Sequence, residues 1–212
     1  KASGRTTFVH PLIAPLVPKY CLQISPMSIG RLHVLTDFHF QQRYSHAELA
    51  RRAIAGGADT IQFRQKSGPI RHRLVDAEKT AFVCRKEDVT LIVDDLIDIT
   101  LAVEAAGVHL GQEDFPIEAA RCVLGSDRII GATATTVEQA LRAEELGASY
   151  IGFGPVFPTR SKDNPASVKG LEGLAVVCRA VNIPVIAIAG MTPSRARQAI
   201  YAGAHGVAVM TG

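Results

Sequence analysis

The sequence predicts an α/β chain folded as one (β/α)8 TIM barrel, and three observations carry that expectation. From Arg31 onward, eight short runs rich in apolar and β-branched residues recur at a nearly regular beat. Between them lie stretches whose apolar residues recur at helical spacing. The joints also repeat: "GGAD" (56–59), "AAGV" (105–108), "LGAS" (146–149) and "AGAH" (202–205) each put Gly beside Ala just before the next strand run. Strict alternation of strand and helix is the pattern of a parallel sheet, and eight strands favour closure over an open sheet.

In order, the strand runs are "LHVLTD" (32–37), "TIQFRQK" (60–66), "TLIVDD" (90–95), "GVHLGQED" (107–114), "IIGATAT" (129–135), "YIGFGPVF" (150–157), "PVIAIAG" (184–190) and "GVAVMTG" (206–212). Helical segments such as "SHAELARRAIAGGA" (45–58), "VEQALRAEELGA" (137–148) and "PSRARQAIYAGA" (193–204) open on a capping residue or proline and close near a glycine. The last strand run ends at Gly212, so the expected barrel lacks its eighth helix within this sequence. Residues 31–212 are read as the single barrel domain and residues 1–30 as an N-terminal extension, whose stretch "FVHPLIAPLVPKYCLQI" (8–24) is apolar but cut by three prolines.

Composition excludes several classes. A formal charge of +3 with no dense Lys/Arg block argues against nucleic acid as a partner. No run reaches the roughly 18 uncharged apolar residues of a membrane span. Cys21, Cys84, Cys122 and Cys178 are scattered, without a CxxC pair. They read as reduced thiols of a cytoplasmic protein rather than a disulfide framework. Oligomeric state is open, although barrels with exposed helical faces often pair.

In such barrels the chemistry sits at the C-terminal ends of the strands. On the second strand, Gln62, Arg64 and Lys66 alternate with Ile61 and Phe63, so an amide and two cations face the barrel axis. Two inward cations without partners are costly, and an anionic ligand is the simplest compensation; a network with neighbouring carboxylates is the alternative. Asp94 and Asp95 end the third strand, and Glu113 and Asp114 follow the fourth. Carboxylates beside cations suit Mg2+ and a diphosphate, although each acidic pair is equally a candidate helix cap. Thr133 and Thr135 end the fifth strand, while Ala189-Gly190 and Thr211-Gly212 could offer backbone N–H groups to a phosphate. After the sixth strand, "GFGPVFPTRSKDNPASVKG" (152–170) places Thr159, Ser161 and Lys162 together between prolines. They suit a phosphate clasp, against the alternative of a solvated connector.

The segments "QFRQK", "IVDD", "GVHLGQED", "GFGPVFPTRSK" and "IPVIAIAGMTP" resemble, in order and spacing, thiamine phosphate synthase and its close relative, the thiazole tautomerase. The resemblance implies a (β/α)8 barrel that joins 4-amino-5-hydroxymethyl-2-methylpyrimidine diphosphate to thiazole phosphate. It implies that Arg64, Lys66 and Lys162 bind and neutralise the diphosphate, with Thr133 and Ser161 as hydroxyl donors. By the same motifs Asp95 and Asp114 would ligate Mg2+, Gln62 would contact the pyrimidine, and Thr159, Gly190 and Thr211 would surround the thiazole phosphate.

Three positions depart from the family pattern. Asp94 stands where an Asn is usual, Ala189 where a Gly is usual, and Thr135 where a His is usual. Asp94 turns an amide facing the diphosphate into a possible anion. The tautomerase is thought to use that histidine for proton transfer, which Thr135 does not supply near neutral pH. The run "PTRSK" and the intact "GQED" are retained, so the resemblance favours the synthase over a tautomerase-like isomerase or a catalytically silent phosphate-binding paralogue.

Overall fold

The computed structural model describes residues 29–159 and 167–210. Its eight parallel strands close into a barrel in chain order, with β8 pairing back onto β1. The elements run β1 (Leu32–Thr36), α1 (His46–Ala55), β2 (Thr60–Phe63), α2 (Ile70–Lys86), β3 (Thr90–Asp94), α3 (Ile97–Ala102), β4 (Gly107–Leu110) and α4 (Ile117–Leu124). They continue with β5 (Ile129–Ala134), α5 (Val137–Glu145), β6 (Tyr150–Phe153), α6 (Gly170–Ala180), β7 (Val185–Ile188), α7 (Pro193–Tyr201) and β8 (Gly206–Val209). Eight strands and seven helices thus match the sequence expectation among the described residues. Most strands are shorter than the apolar runs suggested; on β2 and β4 pairing stops where the polar tails "RQK" and "GQED" begin. Residues 1–28, most of the expected extension, lie outside the described residues. Among the described residues, no helix is long and apolar enough to cross a membrane.

Strand alternation divides the apolar residues into two sets. One set, including Ile61, Phe63, Val93, Val108, Ile130, Ile151 and Ala187, packs outward against the helices. The other, Leu35, Ile92, Ile129, Tyr150, Ile186 and Ala208, fills the barrel axis. A barrel plugged in this way is a core rather than a pore, which leaves only its upper rim for a ligand.

The repeated joint has a conformational cause. Gly57, Gly147 and Gly203 have φ of +95°, +93° and +107°. The following Ala58, Ala148 and Ala204 each return an N–H to a carbonyl five residues back, at 3.0, 2.9 and 3.1 Å. This left-handed stop satisfies the last carbonyls of the helix and turns the chain into the next strand. "AAGV" departs from the expectation. There Glu104 (φ +53°) holds the left-handed position and Ala105 N–H bonds Thr100 O at 3.0 Å. Gly107 is instead the first residue of β4, where a Cβ would lie 2.0 Å from Ile129 O. Its glycine serves strand packing, not the helix end.

Candidate active site

Asp37, Arg64 and Asp94 come together because their strands are neighbours in register. The pairs Leu35↔Gln62 and Thr36↔Phe63 extend one step beyond the strands, where Arg64 N–H bonds Thr36 O at 3.1 Å. That step sets Arg64 beside Asp37, and their side chains form an ion pair through Arg64 Nη1 and Asp37 Oδ2. On the other side β3 brings Asp94 Oδ2 to 3.3 Å from Arg64 Nε and 3.1 Å from Lys66 Nζ. Lys66 Nζ also meets Asp95 Oδ2.

The expectation of cations lacking protein partners is therefore corrected. Asp37, Asp94 and Asp95 compensate Arg64 and Lys66, as the carboxylate-network alternative required, and the Lys66 side chain keeps 46% of its surface exposed. Burial pulls the Lys66 ammonium down, but the charges of Asp94 and Asp95 outweigh it and hold its pKa above the ordinary lysine value. Asp94 Oδ2, though within ion-pair distance of two cations, accepts no aligned hydrogen bond and is buried.

Asp95 leaves β3 with φ +61°, its N–H donating to His109 O at 2.9 Å. Asp114 curls back so that its Oδ2 accepts the Gly111 N–H at 2.7 Å. The two carboxyl groups lie close enough to shift each other's titration. Burial and the Asp94 charge push the Asp95 carboxyl up to about 6, and its hydrogen bond to Asp114 adds to the rise. For Asp114, burial pulls upward, yet the hydrogen bonds from Asp95 and Gly111 prevail and lower it. Two carboxyl groups placed side by side are oxygen donors of the kind that would hold a hard divalent cation, which would compete with protonation of Asp95. Among the described residues, no group of three or more His, Cys, Asp or Glu could hold a metal ion. Glu113, offered by the same motif, is exposed.

Below the charged rim lies a small pocket of about 50 Å³ whose lining includes Gln62, His109, Thr133, Tyr150 and Gly152. Its polar groups are joined. His109 Nδ1 lies 2.9 Å from Tyr150 Oη and His109 Nε2 lies 2.9 Å from Thr133 Oγ1. Burial lowers the pKa of His109, so the ring is neutral. A Cβ on Gly152 would sit 2.9 Å from His109 Cε1, so the glycine keeps room for the imidazole.

Opposite the cations, the chain after β6 packs on the chain after β7. Gly190 has φ +64°, and a Cβ there would lie 2.6 Å from Pro158 O. Ala189, with φ +82°, takes a conformation that glycine prefers. Arg195 ties the two together, donating from Nη1 to Gly190 O at 2.8 Å while its guanidinium lies 4.8 Å from the Phe157 ring centroid.

The structure thus gathers Gln62, Arg64, Lys66, Asp94, Asp95, Asp114 and Thr133 at one end of the barrel, with Thr159 and Gly190 in the adjoining loops. Thr135 turns away, its N–H and hydroxyl bonding Gln139 Oε1 at the start of α5 at 2.7 and 3.1 Å. Ser161, Lys162 and Thr211 lie outside the described residues. Sequence reasoning passed over Asp37, His109 and Tyr150. The alternation that selected Gln62 also puts His33, Leu35 and Asp37 on the inner face of β1 and His109 on that of β4, so the signal was available.

A family model described as thiamine monophosphate synthase matches residues 32–212. The chain belongs to this family. A thiamine-phosphate synthase of Salinibacter ruber is 64% identical over 184 residues, covering 87% of this chain and 81% of that protein. One from Methanocella arvoryzae is 49% identical, covering 85% of each. Among solved structures, a thiamine phosphate pyrophosphorylase from Pyrococcus furiosus superposes with a TM-score of 0.77 at 41% identity, covering 85% of both chains. The resemblance read from five short segments therefore extends over the whole barrel.

Proposed function

We propose that this chain is a transferase that makes thiamine phosphate from 4-amino-5-hydroxymethyl-2-methylpyrimidine diphosphate and thiazole phosphate, with Mg2+ as its metal. The observation that carries the reading is the union, on three adjacent strand ends, of Arg64 and Lys66 with the neighbouring Asp95 and Asp114 carboxyls, beside the pocket of Gln62 and His109. It occurs in a chain 64% identical to a thiamine-phosphate synthase.

In the reaction, the bond between the pyrimidine methylene carbon and the diphosphate oxygen breaks and its electron pair leaves with diphosphate. The thiazole nitrogen lone pair then forms the new carbon–nitrogen bond, and no proton need move. The demand on the protein is positioning and charge stabilisation. Bound Mg2+ would supply further neutralisation of the departing charge. Arg64 and Lys66 meet the phosphate oxygens, drawing on cations already gathered by Asp37, Asp94 and Asp95. Gln62 offers an amide to the pyrimidine, and the neutral His109, fixed by two hydroxyls, gives the pocket a wall that does not compete as a cation. Gly190 and Thr159 line the side from which thiazole phosphate would enter.

The test is diphosphate release by purified protein given both substrates and Mg2+. Turnover is expected, with Arg64→Ala reducing it by about a hundredfold or more. Absence of release by the unsubstituted protein overturns the reading. A spectral change with the thiazole carboxylate phosphate tautomer alone would assign the isomerase instead.

A further inference from the structure

We infer that Asp37 is a positioning residue for the transfer, acting through Arg64. The inference rests on the proposed function for its substrate and on the structure for its geometry.

Asp37 is nearly inaccessible, with 4% of its side chain exposed, and its two oxygens have different partners. Oδ1 accepts the His39 N–H at 2.8 Å and so shapes the start of the β1–α1 loop, which is further held by Gln41 N–H on Asp37 O at 3.2 Å. That task needs only an acceptor, which a neutral amide supplies equally well. Oδ2 is aimed across the strand pair at Arg64 Nη1. On the far side of the guanidinium, Nε faces Asp94 Oδ2 at 3.3 Å. Carboxylates on the two strands flanking β2 thus engage two of the three guanidinium nitrogens, Nη1 and Nε, and leave Nη2 outside both ion pairs.

A free arginine side chain loses much rotamer freedom when it is fixed on a phosphate. Here that ordering is complete before the ligand arrives, because Arg64 is anchored through its backbone to Thr36 and through its head group to Asp37. The negative charge beside Arg64 is thereby explained. It weakens the net field on an incoming anion but fixes the direction of the donor, and direction is what a leaving diphosphate needs as its charge grows.

The experiment is a double-mutant cycle of Asp37→Asn with Arg64→Lys. Asn keeps the acceptor for His39 and removes the charge, whereas Lys keeps the cation but offers a single nitrogen that two flanking carboxylates cannot orient. Two readouts are taken: kcat and KM for diphosphate release, and the affinity for inorganic diphosphate with Mg2+ by titration calorimetry. Asp37→Asn is expected to lower kcat by about tenfold, with a smaller change in KM, and to weaken inorganic diphosphate by about threefold or more. In the Arg64→Lys background the same substitution is expected to change either quantity by less than about twofold.

Equal effects in both backgrounds, or no effect of Asp37→Asn on either, overturn the inference; so does a wild-type protein that binds no inorganic diphosphate. If that protein binds inorganic diphosphate without turning over the two substrates, the synthase reading fails while the calorimetric cycle still decides the role of Asp37. Should the Asn variant not fold, Asp37→Glu, which keeps the charge and displaces it by one methylene, enters the same cycle with the same expectation.

Discussion

Asp95 and Asp114 show how far single side chains can be argued. The raised Asp95 carboxyl gives the proposed Mg2+ site a pH dependence whose sign follows from the shift. Asp95 is pushed up to about 6 from the ordinary 3.8. In the metal-free protein its contribution to stability is therefore complete below about pH 4 and is lost as pH rises from there through about 6. Mg2+ binding reverses the consequence, since the ion takes the place of the proton. The rise in Tm produced by Mg2+ is expected to be small at pH 5 and close to full at pH 7.5, falling away by up to about tenfold in affinity per pH unit below 6. Differential scanning fluorimetry at several pH values checks this, and an equal Mg2+ shift at pH 5 and 7.5 refutes it. Asp95→Asn should leave no such dependence. The residue types of this site were legible in the sequence because strand alternation and the acidic tails place them. Their pairing was not, because whether Arg64 meets a ligand or Asp37 depends on the register between β1 and β2, which no single run encodes.

At the scale of elements, the helix-to-strand joint is the repeated device, and its recurrence in the sequence was a reliable guide to the barrel. Three of its copies use glycine, at Gly57, Gly147 and Gly203, while Asp88 and Glu104 hold the same left-handed position at φ +53°. The copies with side chains are the ones a glycine search misplaces, which is why "AAGV" suggested Gly107 as the joint when Glu104 fills that role. The three glycines lie farther from the well that side chains tolerate, at φ of +93° to +107°. Gly147→Ala tests the point cleanly, because the nearest atom to a new Cβ is Arg121 Nε at 3.8 Å and no clash intrudes. The substitution is expected to destabilise by about 1 kcal/mol, a fall in Tm of about 2–4 °C for a chain of this size. An unchanged or higher Tm would mean that the joint is not strained as described.

Across the whole molecule, the rim divides into two halves with different chemistry. Strands β1 to β4 carry Asp37, Gln62, Arg64, Lys66, Asp94, Asp95 and, after β4, Asp114. Strands β5 to β8 carry Thr133 and small or apolar residues that face the axis, among them Gly152, Ile186, Ile188 and Ala208. Chain order makes this division, since consecutive strands are neighbours around the barrel. Among the described residues, charge therefore gathers on one side of the pocket and shape on the other. The two should be separable by mutation. Gly152→Ala puts a methyl group 2.9 Å from His109 Cε1 and 3.3 Å from its Nε2, on the shape side and beneath the charged rim. The imidazole must shift against Tyr150 and Thr133, narrowing the pocket. The expected result is a rise in KM for the pyrimidine diphosphate of about tenfold, by crowding worth about 1–3 kcal/mol, with the Mg2+ concentration for half-maximal rate unchanged. Steady-state kinetics over a grid of substrate and Mg2+ concentrations measures both. A Gly152→Ala enzyme whose Mg2+ requirement rises in step with its KM would mean that the two halves are not independent, and that the His109 ring communicates with the Asp95–Asp114 pair across β4.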